Sequence, residues 1–218
     1  AAGLGAGARS LAIAGDGSAL AVADGGLERV ATADGARGRI AEAEDFDVRG
    51  VDVVRDGGVD TIFFTGVDPA DGEVGVFRAP LAGGAVEVVS KGFGAADLDG
   101  LTRAADGSVY VSDLTGKLWR ARAGAAPEAV LTDIRVGDPA GVALTRDEST
   151  LLISSLSDAG TSQVILLDTQ AATTSVFDDV IGENRASGGV HRARDVDVFA
   201  WADVTSGDRG TVFRVEFK

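Results

Sequence analysis

Five short apolar runs in this chain each end at an acidic turn, and they do so in one phase. The runs are "SLAIAGDG" from Ser10, "GVDVVRDG" from Gly50, "GLTRAADG" from Gly100, "GVALTRDE" from Gly141 and "GVHRARDV" from Gly189. Their turn aspartates are Asp16, Asp56, Asp106, Asp147 and Asp195, and a small residue opens each run six positions earlier. The units step by 40, 50, 41 and 48 residues. A unit of this length cannot close a core alone, so successive copies must cover one another.

A second run follows each turn: "ALAVAD", "DTIFFTG", "SVYVSD", "TLLISS" and "DVFAWAD". A third comes after a short link: "LERV", "VGVFRA", "KLWRA", "QVILLD" and "TVFRV". A fourth closes the first four units: "GRIAEA", "AVEVVS", "EAVLTD" and "TTSVFD". Such segments, bounded by Gly, Asp and Ser, read as strands. Four antiparallel strands at a period of about 40–45 residues predict an all-β fold, a β-propeller. The expected domain is residues 9–218, with blades at 9–45, 46–93, 94–135, 136–181 and 182–218, after a Gly/Ala-rich segment 1–8. The fifth unit has only three runs. Either "AAGLGAG" pairs there weakly, or the edge stays open, or the parent is a longer, six-bladed chain.

Composition narrows the partners. The net charge is −14, so nucleic acid is repelled. No apolar run approaches the roughly 20 residues of a membrane-spanning helix. There is no Cys, which excludes disulfides and thiolate metal sites, and no Met, which suggests a processed or trimmed chain. Removal of a secretory signal would account for that and would place the protein outside the cytoplasm. His191 is the one histidine, which excludes a multi-His metal site. No G-x-S-x-G is present to give a serine nucleophile for a triad built on it. "GLGAGA" follows no strand, so a dinucleotide site is not expected, and "TGKL" lacks the rest of a phosphate-binding loop. Phe63, Phe64, Trp119 and Trp201 fall in β runs and are expected in the core between blades.

The phrase "DGLTRAADGSVYVSDLTGKLWRA", Asp99 to Ala121, resembles the blades of NHL-type and SMP-30/gluconolactonase-type propellers. That resemblance covers nearly the whole chain from Arg9 and implies shared architecture. The SMP-30 kind further implies a calcium- or zinc-dependent lactone hydrolase. Its metal ligands (Glu, Asn and Asp) stand just before the small residue of the inner strand. Here those positions hold Arg9, Arg49, Asp99, Ala140 and Gly188, so only Asp99 is of a ligand type.

A second phased set lies three residues before the opening glycine: Asp47, Asp97 and Asp138. With Asp99 these form a candidate calcium ring at the channel mouth, since Ca²⁺ takes several oxygen ligands at about 2.3–2.6 Å. Alternatively they cap turns, or pair with Arg9 and Arg49. Those two arginines also suit an anionic ligand. "VDPADGE", Val67 to Glu73, echoes a calcium loop without its spacing and reads as a solvated hairpin. Alternation puts Asp195 and Asp197 on one side of a strand, with exposure expected.

The expected function is a binding or scaffold propeller that engages a small molecule or a protein at the channel mouth and the longer loops. The candidate ligand contacts are Arg9, Arg49 and Asp99. The candidate metal ligands are Asp47, Asp97, Asp99 and Asp138, and calcium is the one cofactor considered. Two alternatives remain: a divergent calcium-dependent lactonase or esterase, with Asp99 its catalytic candidate, and a trimmed or engineered propeller without activity of its own.

Overall fold

The computed structural model describes residues 8–216 apart from 57, 95, 137–140, 161, 178–186, 194–195 and 205–209. Apart from one short 3-10 turn, Ala41–Ala43, its regular elements are strands.

The first blade is β1 (Ala8–Ile13), β2 (Ala19–Ala23), β3 (Gly26–Val30) and β4 (Arg37–Arg39), paired in that order. The second is β5 (Asp47–Asp56), β6 (Val59–Val67), β7 (Val74–Pro80) and β8 (Glu87–Lys91). The third is β9 (Leu98–Arg103), β10 (Val109–Asp113), β11 (Lys117–Ala121) and β12 (Glu128–Leu131). The fourth is β13 (Val142–Leu144), β14 (Thr150–Leu156), β15 (Ser162–Asp168) and β16 (Thr174–Phe177). The fifth has three strands among the described residues: β17 (Ser187–Arg192), β18 (Val198–Val204) and β19 (Gly210–Glu216). Every pairing is antiparallel.

Burial runs from the inside out. All of β2 and β10 is buried, whereas β4 is exposed throughout, β16 mostly so and β12 in its first half. The second strands are apolar without alternation because a neighbouring blade covers each face. Successive residues face opposite seams. Phe64 packs with Leu20, Val22 and Leu27 of the first blade, while its neighbour Phe63 packs with Leu101, Val109 and Val111 of the third. Tyr110 and Leu118 meet Leu151 and Ile153 across the next seam, and Leu152 and Val164 meet Val190 and Phe199 across the fourth. Each fully buried large side chain contributes about 1.5–3 kcal/mol, so these seams bind the blades together.

The first strands pack on one another in chain order around the axis: β1 on β5, β5 on β9, β9 on β13 and β13 on β17. They approach closely. A Cβ on Gly50 would lie 2.1 Å from the Asp99 carbonyl oxygen. That explains the small residue that opens each inner strand. A hydroxyl of the second strand serves the backbone at the same point. Thr65 Oγ1 accepts from Gly50 N at 2.9 Å, Ser112 donates to Gly100 O at 3.1 Å, and Ser154 Oγ accepts from Gly141 N at 2.7 Å.

Candidate binding site on the axis

The inner strands have two ends. At their starts, the register slips by one residue in four blades: between Ala8 and Ser10, between Val48 and Gly50, opposite Ser112, and between Ser187 and Val190. The slip gives the extra residue to Arg9, Arg49, the Asp99–Gly100 pair and the Gly188–Gly189 pair. The column in which the resembled hydrolases hold metal ligands is thus a β-bulge, a device that re-aims side chains at a strand end.

Arg49 Nη2 lies 3.0 Å from Asp47 Oδ2, so these two candidates form an ion pair. Asp47 belongs to β5 and pairs with Val67, so that strand begins three residues before its opening glycine. Asp99 is buried, and its carbonyl oxygen accepts from Thr65 Oγ1 at 2.6 Å. The Asp97 backbone is clamped: its N–H donates to Asp113 Oδ1 at 3.0 Å, and its carbonyl accepts from Leu114 N at 2.9 Å. Asp113 is wholly buried and also accepts from Thr115 N at 2.8 Å and Trp119 Nε1 at 2.9 Å. Burial pushes its pKa up, but the bonds from Trp119, Thr115 and Asp97 outweigh this and hold it below the ordinary value. Asp138, Ala140 and the Arg9 side chain lie outside the described residues, as does Asp195. Among the described residues no three of His, Asp and Glu gather to hold a metal ion. The acidic loop "VDPADGE" carries its own cation, because Lys91 Nζ lies 2.6 Å from both Asp68 and Asp71.

The far ends are built from the turn aspartates. Asp16, Asp106 and Asp147 each accept from the N–H two residues on, at 2.9, 2.8 and 3.0 Å. Arg29 and Arg122 tie two of these turns down, each bonding the turn carboxylate and the adjacent serine hydroxyl. Asp16 is held at about 2 by the Ser18 hydroxyl and N–H and by Arg29. A carboxylate from the next blade then latches the N–H just before the turn. Asp60 takes Gly15 N at 2.5 Å, Glu148 takes Ala105 N at 2.6 Å, and Asp197 takes Arg146 N at 2.6 Å. Asp197 precedes β18 instead of lying in a strand as its spacing suggested, because it reaches back to the fourth blade.

Between the two ends lies a group that the phase did not flag. Counting back from the turn aspartates, the fourth position holds Ala12, Asp52, Thr102, Ala143 and His191. The third holds Ile13, Val53, Arg103, Leu144 and Arg192. Contacts between neighbouring inner strands keep this phase: Ser10 bonds the backbone of Val51, and Gly50 meets Asp99. Asp52 accepts from Val53 N at 2.8 Å. Its carboxylate also takes the Arg103 N–H and the Thr102 hydroxyl, and it feels the charge of Arg192. That arginine belongs to β17 of the fifth blade. Burial outweighs these partners and raises the Asp52 pKa to about 6. The Arg103 guanidinium lies over the Phe63 ring at 5.6 Å. His191 and Arg192 are open to solvent. The missed signal was polarity inside the repeat: the fourth-back column is polar in the second, third and fifth blades, and the third-back column in the third and fifth.

No family model matches this chain, and no curated protein does. Solved structures do. A TolB-type protein from Agrobacterium tumefaciens has 12% identity and a TM-score of 0.71, over 96% of this chain and 76% of its own. A chain of a nidogen/laminin complex has 11% identity and a TM-score of 0.63, over 86% of this chain and 74% of its own. The extracellular domain of a hybrid two-component system from B. thetaiotaomicron has 11% identity and a TM-score of 0.57, over 89% of this chain and 26% of its own. The chain is a β-propeller. Identities this low carry the fold and not the activity. Among the described residues no helix is long and apolar enough to cross a membrane.

Proposed function

We propose that this propeller is a binding module, of the NHL and SMP-30-like kind in its blades, that engages its ligand along the axis and its rim loops. The observation that carries this reading is the Asp52 group. A carboxylate raised to about 6 bonds Thr102 and Arg103 of the third blade, in a column that is apolar in the first and fourth blades. Titratable groups with perturbed pKa values cluster at functional sites. The propellers named above sit in an extracellular domain and in a complex with a second protein, which supports a place outside the cytoplasm and leaves a protein partner open at the rim.

The test is a thermal-melt screen of small polar metabolites, since a ligand that binds only the folded state raises the melting temperature. The expected result is at least one ligand whose shift disappears in Arg192→Gln but survives Arg78→Gln on the outer rim. Ligands that ignore the axial substitution would overturn the axial reading.

The lactonase alternative rests on Asp99, an acid buried at the start of β9 in the column where similar enzymes bind metal. It predicts a calcium-induced rise in melting temperature that Asp99→Asn removes, together with lactone turnover. Both results would replace the binding reading, and absence of either would dismiss this one.

A further inference from the structure

The fifth blade is one strand short. Among the described residues its sheet runs β17-β18-β19, whereas every other blade pairs a fourth strand with its third. The outer edge of β19 is thus a row of backbone donors and acceptors open to another strand.

Two other blades show what that strand should carry. The strands β7, β11 and β19 share one phrase: Val76-Phe77-Arg78, Leu118-Trp119-Arg120 and Val212-Phe213-Arg214. In the second and third blades the fourth strand meets this phrase in one antiparallel register. Arg78 stands opposite Glu87 and Phe77 opposite Val88. Arg120 stands opposite Glu128 and Trp119 opposite Ala129. Both ladders then slip at the same step, which gives the extra place to Val89 and to Val130. Val89 is buried in the seam between the second and third blades, and Val130 packs against the seam between the third and fourth. Each arginine pairs with its glutamate, at 2.5 and 2.6 Å.

The fifth blade keeps the arginine without the strand. Arg214 turns instead to Glu216, two residues on in its own strand, and its side chain is 68% exposed. The shared register asks for a glutamate opposite Arg214, a small or branched residue opposite Phe213 and a valine after it. Within these 218 residues Glu-x-Val occurs at Glu28, Glu87 and Glu128, and all three already stand in paired strands.

We infer that the edge of β19 is a docking surface for an extended segment of a partner protein, of the pattern Glu-Val-Val or Glu-Ala-Val, added antiparallel with its glutamate on Arg214. In such strand addition the backbone ladder supplies affinity, and the register of side chains supplies specificity. The inference does not depend on the axial reading.

The probe is a labelled peptide, Ala-Val-Glu-Val-Val-Ser-Lys, the sequence of residues 85–91, titrated into the whole chain by fluorescence anisotropy. Binding is expected. Prolines at the positions of Val88 and Val89 should abolish it, because they remove ladder donors. Lysine in place of the peptide glutamate should weaken it about fivefold, since opposite charges across a ladder become like charges. Arg214→Glu should reverse that preference, binding the lysine peptide better than the glutamate one, while Arg78→Glu should leave it unchanged. Circular dichroism checks that each variant folds, and the two peptides on the unaltered chain test the charge pairing without any variant. No binding, or binding that survives the prolines, would overturn the inference. So would a preference that follows Arg78 instead of Arg214, which would mean that the peptide replaces β8. Self-association of the chain that excess peptide does not reverse would give the edge to a second copy and overturn it too.

Discussion

The two sets of acids along the inner strands behave oppositely. Those that recur in phase are committed to the fold: Asp47 to Arg49 and the turn aspartates to the next N–H but one, while Asp113 of β10 clamps the Asp97 backbone. Asp52, which has no acidic counterpart in the other blades, has its pKa raised by burial to about 6 although Val53, Arg103 and Thr102 bond it. The difference follows from repetition itself. A residue needed by every blade serves what every blade must do, namely turn, approach and stack. A ligand site on the axis is not five-fold, so its residues must break the repeat.

The largest effect is expected where the repeat is tightest. Gly50→Ala would put a methyl group 2.1 Å from the Asp99 carbonyl oxygen and 3.0 Å from Thr65 Oγ1. Neither inner strand can retreat without opening a seam, so a loss of about 3 kcal/mol or more is expected from urea unfolding. Gly38, on the exposed β4, meets nothing within 4 Å, and Gly38→Ala should change stability by less than about 0.5 kcal/mol. Equal effects at the two glycines would refute the account of the small-residue column.

Acid titration should separate the two kinds of aspartate by sign. Asp113 titrates below its ordinary value in the folded chain. Its contribution is therefore present above the unfolded value of 3.8 and is lost as pH falls through the native pKa. Asp113→Asn should cost about 2–3 kcal/mol at pH 7, because an amide cannot accept from all three donors. Asp52 titrates above its ordinary value, at about 6 against 3.8, so the folded chain holds a proton that the unfolded chain has released. Stability should thus rise as pH falls from 7 through 6 towards 4, by an amount on the order of 1–3 kcal/mol. Asp52→Asn should raise the melting temperature at pH 7.5 and abolish that rise. A fall in melting temperature at pH 7.5 would show that Asp52 belongs with the structural acids after all.

The inter-blade latches come next. Glu148→Gln and Asp197→Asn each weaken one charge-assisted bond to a turn N–H, and about 1 kcal/mol is expected for each by thermal unfolding. The two latches join different pairs of blades, so the double variant should be additive. Strong coupling would mean that the seams open together.

The fold was legible because its cause is local and repeated. Phased small residues, Asp-Gly turns and unbroken apolar second strands each report a requirement that every blade meets. The bulge at Arg9, Arg49 and Asp99 was not legible, since a one-residue slip in pairing leaves the sequence phase intact. Nor were the latches, because Asp60, Glu148 and Asp197 stand at different distances from their turns and converge only in space. The Asp52 group could have been read by tabulating the inner-strand columns and asking where polarity is unshared. What the columns cannot give is that Thr102 and Arg103 of the third blade bond the Asp52 carboxylate, which depends on how neighbouring inner strands pack.

The smallest effects should fall on the outer strands, where repetition and burial part company. Arg78 with Glu87 and Arg120 with Glu128 are the same pair in two blades, at 2.5 and 2.6 Å. They join the third strand to the fourth, and the glutamates remain 61% and 64% exposed. Water competes for both partners there, so Glu87→Gln or Glu128→Gln should change stability by less than about 0.5 kcal/mol and by still less in high salt. That outcome would show that a phased residue matters in proportion to its burial. A cost as large as that of a latch would mean that the outer pairs also hold the blades, and that recurrence alone measures structural importance in this chain.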